Sequence, residues 1–359
     1  MRFFLGVAAQ VYSTVIELRN FLYSKEWLKT YRANVTVISI GNITTGGTGK
    51  TPLVIRLCKF LQQKDFRCAV LTRGYKARRA SCVMRRAKNG RNTQYDIRNT
   101  IDEPAILAKS CPEAEVIVNP NRVAGATEAV NKFGATVLIM DDGFQHRRLA
   151  RDLDIVTIDG TCPFGYGKVL PAGLLREPVA ALKRADAVVV TRCDQTAEAE
   201  LAQLEEKLQQ VNPNMIIARS IHAPVCAKSI GHKEITLEEL KDKKIFAFCG
   251  IANPDAFLNT IKNIGANLVG SKIYNDHYHY TDSDIARILE EARHLKADLI
   301  LSTQKDWFSS PAFAEASSVI PAQAGIPFAY LAIELRFISG EDKITQLIED
   351  ALAGKIPGK

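Results

Sequence analysis

The run Gly46-Gly47-Thr48-Gly49-Lys50-Thr51 carries the most specific chemistry in this chain. Closely spaced glycines let backbone N–H groups converge on phosphate oxygens without a clashing Cβ. A helix starting at that point adds a favourable dipole. A lysine there reaches β- and γ-phosphates, and the hydroxyl after it holds Mg²⁺. Thr45, Gly46, Gly47, Thr48, Gly49, Lys50 and Thr51 are therefore the candidate nucleotide-binding residues. The loop departs from the full phosphate-loop pattern once, because Thr44 stands where a glycine is expected.

Such a loop needs a carboxylate at the end of a neighbouring strand to complete the Mg²⁺ shell. Four apolar residues, Val137 to Met140, run into Asp141 and Asp142 and supply that shape. The next six residues, Gly143-Phe144-Gln145-His146-Arg147-Arg148, pack amide, imidazole and guanidinium side chains beyond what a plain ATPase requires. The segment FGYGKVLPAGLLREP, residues 164–178, combines Gly and Pro hinges with Lys168, Arg176 and Glu177, as a ligand-wrapping loop would. Asp102-Glu103-Pro104 suits a helix start as well as it suits chemistry. Asp276-His277-Tyr278-His279-Tyr280 holds two of the six histidines and suggests a proton-handling or substrate-orienting histidine. Thr303-Gln304-Lys305-Asp306 follows a strand and is expected to line the same cleft. Thr191-Arg192-Cys193-Asp194 is a loose echo of a guanine-reading motif, with Arg in place of Lys.

Those residues need a scaffold. Val35 to Ile40 reads as a strand and Thr51 to Gln63 as a helix. Short apolar runs at 68–72, 116–119, 136–140, 154–158 and 187–191 alternate with helical or loop segments, the signature of a parallel sheet with crossover helices. A turn at Asn212-Pro213-Asn214 precedes a second series of strands, at 215–219, 244–249, 266–273, 299–302 and 330–335. The expected architecture is an α/β phosphate-loop core over 31–214 and a smaller α/β domain over 215–340. Residues 341–359 form a final helix and tail of open allegiance. Residues 311–327 read as an inserted surface loop.

At the amino terminus, Phe3 to Ile16 carries no charge and is too short to span a bilayer. Phe4, Ala8, Val11, Val15, Leu18 and Leu22 share one helical face, and Arg19, Lys25, Lys29 and Arg32 follow. Residues 1–30 thus read either as a helix lying at a membrane interface or as one packed on the core. Lys76 to Arg98 holds eight basic residues against one acid, suited to an anionic headgroup or a phosphorylated substrate. Few aromatics interleave it, which disfavours single-stranded nucleic acid. The 359 residues carry a net charge of +8 and eight cysteines, none in Cys-x-x-Cys spacing, so neither a zinc site nor a disulfide scaffold is indicated.

Together these segments resemble the tetraacyldisaccharide 4′-kinase family of lipid A biosynthesis. The resemblance rests on Gly41-Asn42, Thr44 to Pro52, Thr72-Arg73-Gly74-Tyr75, Asp102-Glu103-Pro104, Asn119 to Arg122, Asp141 to Arg148, the 164–178 segment, Cys249 to Pro254, Asp276-His277 and Thr303 to Asp306. It implies a kinase that uses ATP and Mg²⁺ to phosphorylate the 4′-hydroxyl of an acylated glucosamine disaccharide 1-phosphate, giving lipid IVA. It also implies a peripheral enzyme on the cytoplasmic face of the inner membrane, with no nucleic acid and no obligate protein partner. Carried over by position, it implies Lys50, Asp141 and Asp142 at the phosphate and metal site, Thr51, Asp141 and Glu177 as metal ligands, and Asp102 activating the sugar hydroxyl with His277 as partner. Gln145, His146, Arg176 and Arg73 are its substrate-contact candidates. Gln304 and Tyr278 depart from the family pattern, where Glu and a second His are expected.

Overall fold

The computed structural model describes residues 2–74, 82–84, 103–229, 233–276, 278–309 and 325–355. In chain order, the strands are β1 (Thr36–Gly41), β2 (Cys68–Thr72), β3 (Cys82–Met84), β4 (Glu115–Val118), β5 (Val137–Asp141), β6 (Leu153–Asp159), β7 (Ala187–Thr191), β8 (Ile216–Ser229), β9 (Glu234–Thr236), β10 (Lys244–Cys249), β11 (Asn267–Ile273), β12 (Leu299–Thr303) and β13 (Phe328–Ser339). The helices are α1 (Arg2–Ser24), α2 (Lys50–Gln63), α3 (Glu103–Ser110), α4 (Arg122–Phe133), α5 (Glu198–Val211), α6 (Leu237–Leu240), α7 (Pro254–Asn263), α8 (Asp282–His294), α9 (Gln304–Ser309) and α10 (Glu341–Leu352).

All the strands join one sheet, ordered β11-β10-β12-β13-β8-β7-β6-β1-β5-β2-β4-β3, with β9 added on β8. The pairings are parallel within β1, β2 and β4 to β8 and again within β10 to β13, and β8 and β13 meet antiparallel. The apolar runs of β1, β2, β5, β6 and β7 are buried almost throughout, as strands covered on both faces must be.

β8 explains how the two halves connect. Ile216 to Arg219 pairs with β7, whereas Arg219 to Ser229 pairs with β13. One strand therefore serves both series, and the sequence-based boundary at residue 215 falls at its start. Pro224 sits opposite Ile333 beside a register shift, where a missing N–H is tolerated. The final helix returns to the first half, where Ile344, Ile348 and Ala351 of α10 pack with Leu53, Val54 and Leu57 of α2.

α1 turns its apolar stripe outward. Phe4, Val11, Val15, Leu18 and Phe21 are exposed, and Ala9 is its one buried apolar residue among those described. Most of the stripe is therefore not packed on the core, although Leu22 is half-buried. Its inner side holds on through polar groups: Tyr12 Oη donates to the Arg176 carbonyl at 3.0 Å, and Arg147 Nη1 donates to the Asn20 carbonyl at 2.7 Å. Among the described residues, no helix is long and apolar enough to cross a membrane. The basic residues of 76–98 and most of the 311–327 insertion lie outside the described residues.

Candidate active site

The phosphate loop leaves the carboxyl end of β1, between β5 and β6, where an open parallel sheet forms a crevice. Two glycines are demanded by geometry. Gly41 passes so close to Phe144 that a Cβ would stand 2.5 Å from the phenylalanine's own. Gly49 caps α2 with a left-handed backbone, φ 84°, and a Cβ there would collide with His222. The turn after β5 braces the loop: Gly143 N donates to the Ile40 carbonyl at 3.1 Å and Gln145 Nε2 to the Asn42 carbonyl at 2.8 Å. Gln145 and its neighbours thus hold the chain on either side of Gly41.

At the start of α2, Lys50 is buried and pairs with Asp142 Oδ1 at 3.3 Å. Arg176 Nη1 reaches both oxygens of the same carboxylate, at 2.9 and 2.7 Å. Burial alone would raise the Asp142 pKa, but Lys50 and then Arg176 outweigh it and hold the carboxyl at about 2. Asp141 is fully buried at the end of β5 and accepts from Thr72 Oγ1 at 3.3 Å. Asp141 and the hydroxyl of Thr51 are hard oxygen donors flanking the phosphate loop, which fits a Mg²⁺ that keeps water and phosphate oxygens as its other ligands.

Glu177 stands apart from that cluster. It is wholly buried, with Oε2 taken by Arg184 at 2.9 Å and Asn20 at 3.1 Å, and Oε1 by Arg19 at 3.4 Å. In this structure its oxygens have a structural task beside the metal-ligand role expected for it. Two cations and an amide use its oxygens, and they tie α1 to the loop that carries Arg176. His146 is held neutral, its pKa lowered to about 4 by burial and by the charges of Arg122, Arg151, Arg148 and Arg73. Arg73 is exposed at the end of β2.

Asp102 and His277 lie outside the described residues. The phosphate loop opens on a cleft between the two halves of the sheet. It is lined by the loop from Gly47 to Pro52, by Ile106 of α3, by Ile251 to Asn253 before α7, and by Thr303 to Lys305. Lys305 pairs with Asp276 at 2.9 Å. Asp306, beneath, is buried and accepts from Gly250 N, Tyr280 Oη and Thr303 Oγ1 at 2.9, 3.0 and 2.5 Å. Tyr278 Oη is spent on Asp284 at 3.2 Å.

A family model described as Tetraacyldisaccharide-1-P 4'-kinase matches residues 1–353. This chain belongs to that family. The tetraacyldisaccharide 4'-kinase of Halothermothrix orenii is 37% identical over 314 residues, 85% of this chain and 82% of the relative. The namesake from Chlorobaculum parvum is 34% identical over 357 residues, 99% of this chain and 96% of its own. Among solved structures, the "apo" form of LpxK from Aquifex aeolicus in complex with ATP matches with a TM-score of 0.71 at 28% identity, covering 98% of this chain and 99% of that one.

Family membership makes the guanine-reading echo at 191–194 superfluous, and the geometry gives those residues other tasks. Arg192 turns back onto the phosphate loop, donating from Nη2 to the Gly47 carbonyl at 2.8 Å and from Nη1 to Asp159. Asp194 is exposed and is not among the residues lining the cleft. Sequence reasoning missed Asp159 and His222. Asp159 ends the apolar strand β6 just as Asp141 ends β5, and that was the available signal. His222, in the middle of β8, gave none; burial and the Arg192 charge lower its pKa to about 3.

Proposed function

We infer that this chain is an ATP- and Mg²⁺-dependent kinase that transfers the γ-phosphate to the 4′-hydroxyl of tetraacyldisaccharide 1-phosphate, giving lipid IVA in lipid A biosynthesis. The observation that carries this reading is the Lys50–Asp142–Arg176 cluster at the mouth of a phosphate loop, in a chain matched to the family from end to end.

Phosphoryl transfer asks mainly for positioning and neutralisation of charge. Lys50, held ready by Asp142, supplies a cation at the start of α2, where phosphate oxygens also meet the helix dipole. Thr51 and Asp141 would hold the Mg²⁺, which supplies further positive charge at the β- and γ-phosphates. Arg176 shares Asp142 with Lys50, so the carboxylate remains paired when Lys50 turns to phosphate. Asp102 accepts the proton of the attacking hydroxyl, and His277 is the partner that orients or tunes it. Arg73, Gln145 and His146 are the remaining substrate-side candidates, with Gln145 already engaged in bracing the loop. The cores over 31–214 and 215–340 act as the two walls, and β8 with β13 forms their junction. The outward stripe of α1 seats the enzyme as a peripheral protein on the cytoplasmic face of the inner membrane, where the substrate's acyl chains remain in lipid.

The test is transfer of label from γ-labelled ATP to the acylated disaccharide 1-phosphate in detergent. Label at the 4′ position is expected, abolished by Lys50→Ala and lost with Asp102→Ala while ATP still binds. Label appearing only as free phosphate, or brisk turnover of GTP in place of ATP, would refute the reading.

A further inference from the structure

The phosphate loop is gripped from outside at two successive carbonyls, both from the end of β7. Thr191 Oγ1 donates to the Thr48 carbonyl at 3.1 Å, and Arg192 Nη2 donates to the Gly47 carbonyl at 2.8 Å. A trans peptide points its N–H opposite to its C=O. Fixing these two carbonyls toward β7 therefore turns the N–H groups of Thr48 and Gly49 away from it. That of Thr48 donates to the Gly46 carbonyl at 3.1 Å and closes the turn of the loop, and that of Gly49 opens the helix end that meets phosphate.

Arg192 is itself held firmly. It is buried, its backbone is left-handed at φ 56°, and its Nη1 donates to Asp159. Asp159 is buried in turn, and its Oδ1 accepts from Thr161 N and Oγ1 at 3.1 and 2.7 Å. Asp159 Oδ2 serves a second donor besides Arg192: Asn253 Nδ2, at 3.3 Å, which also donates to Thr161 Oγ1 at 3.0 Å. Asn253 belongs to the opposite wall of the cleft. It caps α7 through its Oδ1, which accepts from Ala256 N at 3.2 Å, and the first turn of α7 lines the cleft. An unbroken line of polar contacts thus runs from a helix of the second half, through Asp159 and Arg192, to the backbone of the phosphate loop.

We propose that Asn253, Asp159 and Arg192 are positioning residues of the phosphotransfer site, a strut through which the seating of α7 against the first half sets the shape of the loop that meets the β- and γ-phosphates. Asn253 is the switchable end, because its contacts to Asp159 and Thr161 cross the cleft. Arg192 is the working end, because it touches the loop. The strut rests on the nucleotide reading of the site given above, and it assigns a task to the two sequence motifs, 191–194 and 249–254, that the phosphotransfer roles leave unused.

The two probes are ATP and AMP, with equilibrium affinities measured on the full chain without lipid. The strut bears on groups that meet β- and γ-phosphates, so its loss lowers affinity for ATP and leaves that for AMP in place. General unfolding would lower both. Asn253→Ser keeps a good helix cap and removes the amide; Asn253→Asp keeps the cap and sets a like charge against Asp159. Loss of a hydrogen bond to a charged group is worth roughly tenfold in binding, so ATP affinity is expected to fall by about that factor in Asn253→Ser and further in Asn253→Asp, with AMP affinity within about twofold. Arg192→Lys is expected to show the same selective loss. The double variant Asn253→Ser/Arg192→Lys should match Arg192→Lys alone, since residues acting in series are not additive. Multiplying losses, or a wild-type ATP-to-AMP ratio in Asn253→Asp, would overturn the strut. A wild-type chain that holds AMP as tightly as ATP would overturn the phosphate-loop reading itself.

Discussion

At the residue scale, the site is a problem of like charges kept apart by one carboxylate. Lys50 and Arg176 both point at Asp142, whose carboxyl they hold at about 2 although burial works in the opposite direction. A carboxylate with a folded pKa below its unfolded value contributes stability above the unfolded value, near 4, and loses that contribution as pH falls toward the folded one. Urea unfolding of wild type and Asp142→Asn should therefore differ by a constant amount at pH 5 and above, and the difference should vanish between about pH 4 and pH 2. With the side chain one-third exposed, the plateau is expected near 1 kcal/mol, after discounting for solvent screening. A difference that grows as pH falls would mean that Asp142 is not the carboxylate these cations hold. Lys50 and Asp142 were legible in the sequence because each lies in a contiguous motif whose spacing encodes its geometry. Asp159 offered only its place at the end of β6 and His222 offered nothing, because their meaning comes from Arg192 and Gly49, which reach them only through the folded sheet.

At the scale of elements, α1 and the 164–178 segment form one unit. Glu177 receives Arg184 from its own stretch of chain and Arg19 and Asn20 from α1, while its neighbour Arg176 holds Asp142. Removing one partner from a buried ion pair leaves the others uncompensated and costs about 3–5 kcal/mol. Glu177→Ala is expected to fall in that range by chemical unfolding, and to leave the Mg²⁺ concentration needed for half-maximal activity unchanged in the fraction that folds. A shifted Mg²⁺ requirement at unchanged stability would assign Glu177 to the metal instead. The sequence could reveal the acid beside Arg176 but not its partners, since the contacts to α1 span more than 150 residues. β8 shows the same limit. Its first residues gave a strand signal, but nothing local marks that the strand continues past Arg219 and changes partner from β7 to β13.

At the scale of the molecule, the proposed seat on a lipid surface combines an exposed apolar helix face with a net charge of +8. On that proposal the outward stripe would supply apolar contact that salt does not screen, and the basic balance would supply attraction to anionic lipid that salt does screen. Neither alone gives firm attachment to a bilayer, whereas two signals together do. Sedimentation with vesicles separates them. Wild type should bind vesicles containing anionic phospholipid more tightly than neutral ones. The gap should narrow as the screening length shrinks from about 10 Å at ~0.1 M salt to about 3 Å at ~1 M. The part that survives high salt should disappear in Val11→Glu/Val15→Glu, because both side chains lie exposed on the stripe and make no core contact whose loss would unfold the protein. That variant should keep wild-type turnover on substrate dispersed in detergent, where no bilayer has to be reached, and lose turnover on substrate embedded in vesicles. Equal loss in both assays would place α1 in the chemistry of the cleft. Equal retention in both would leave its exposed face without a membrane role.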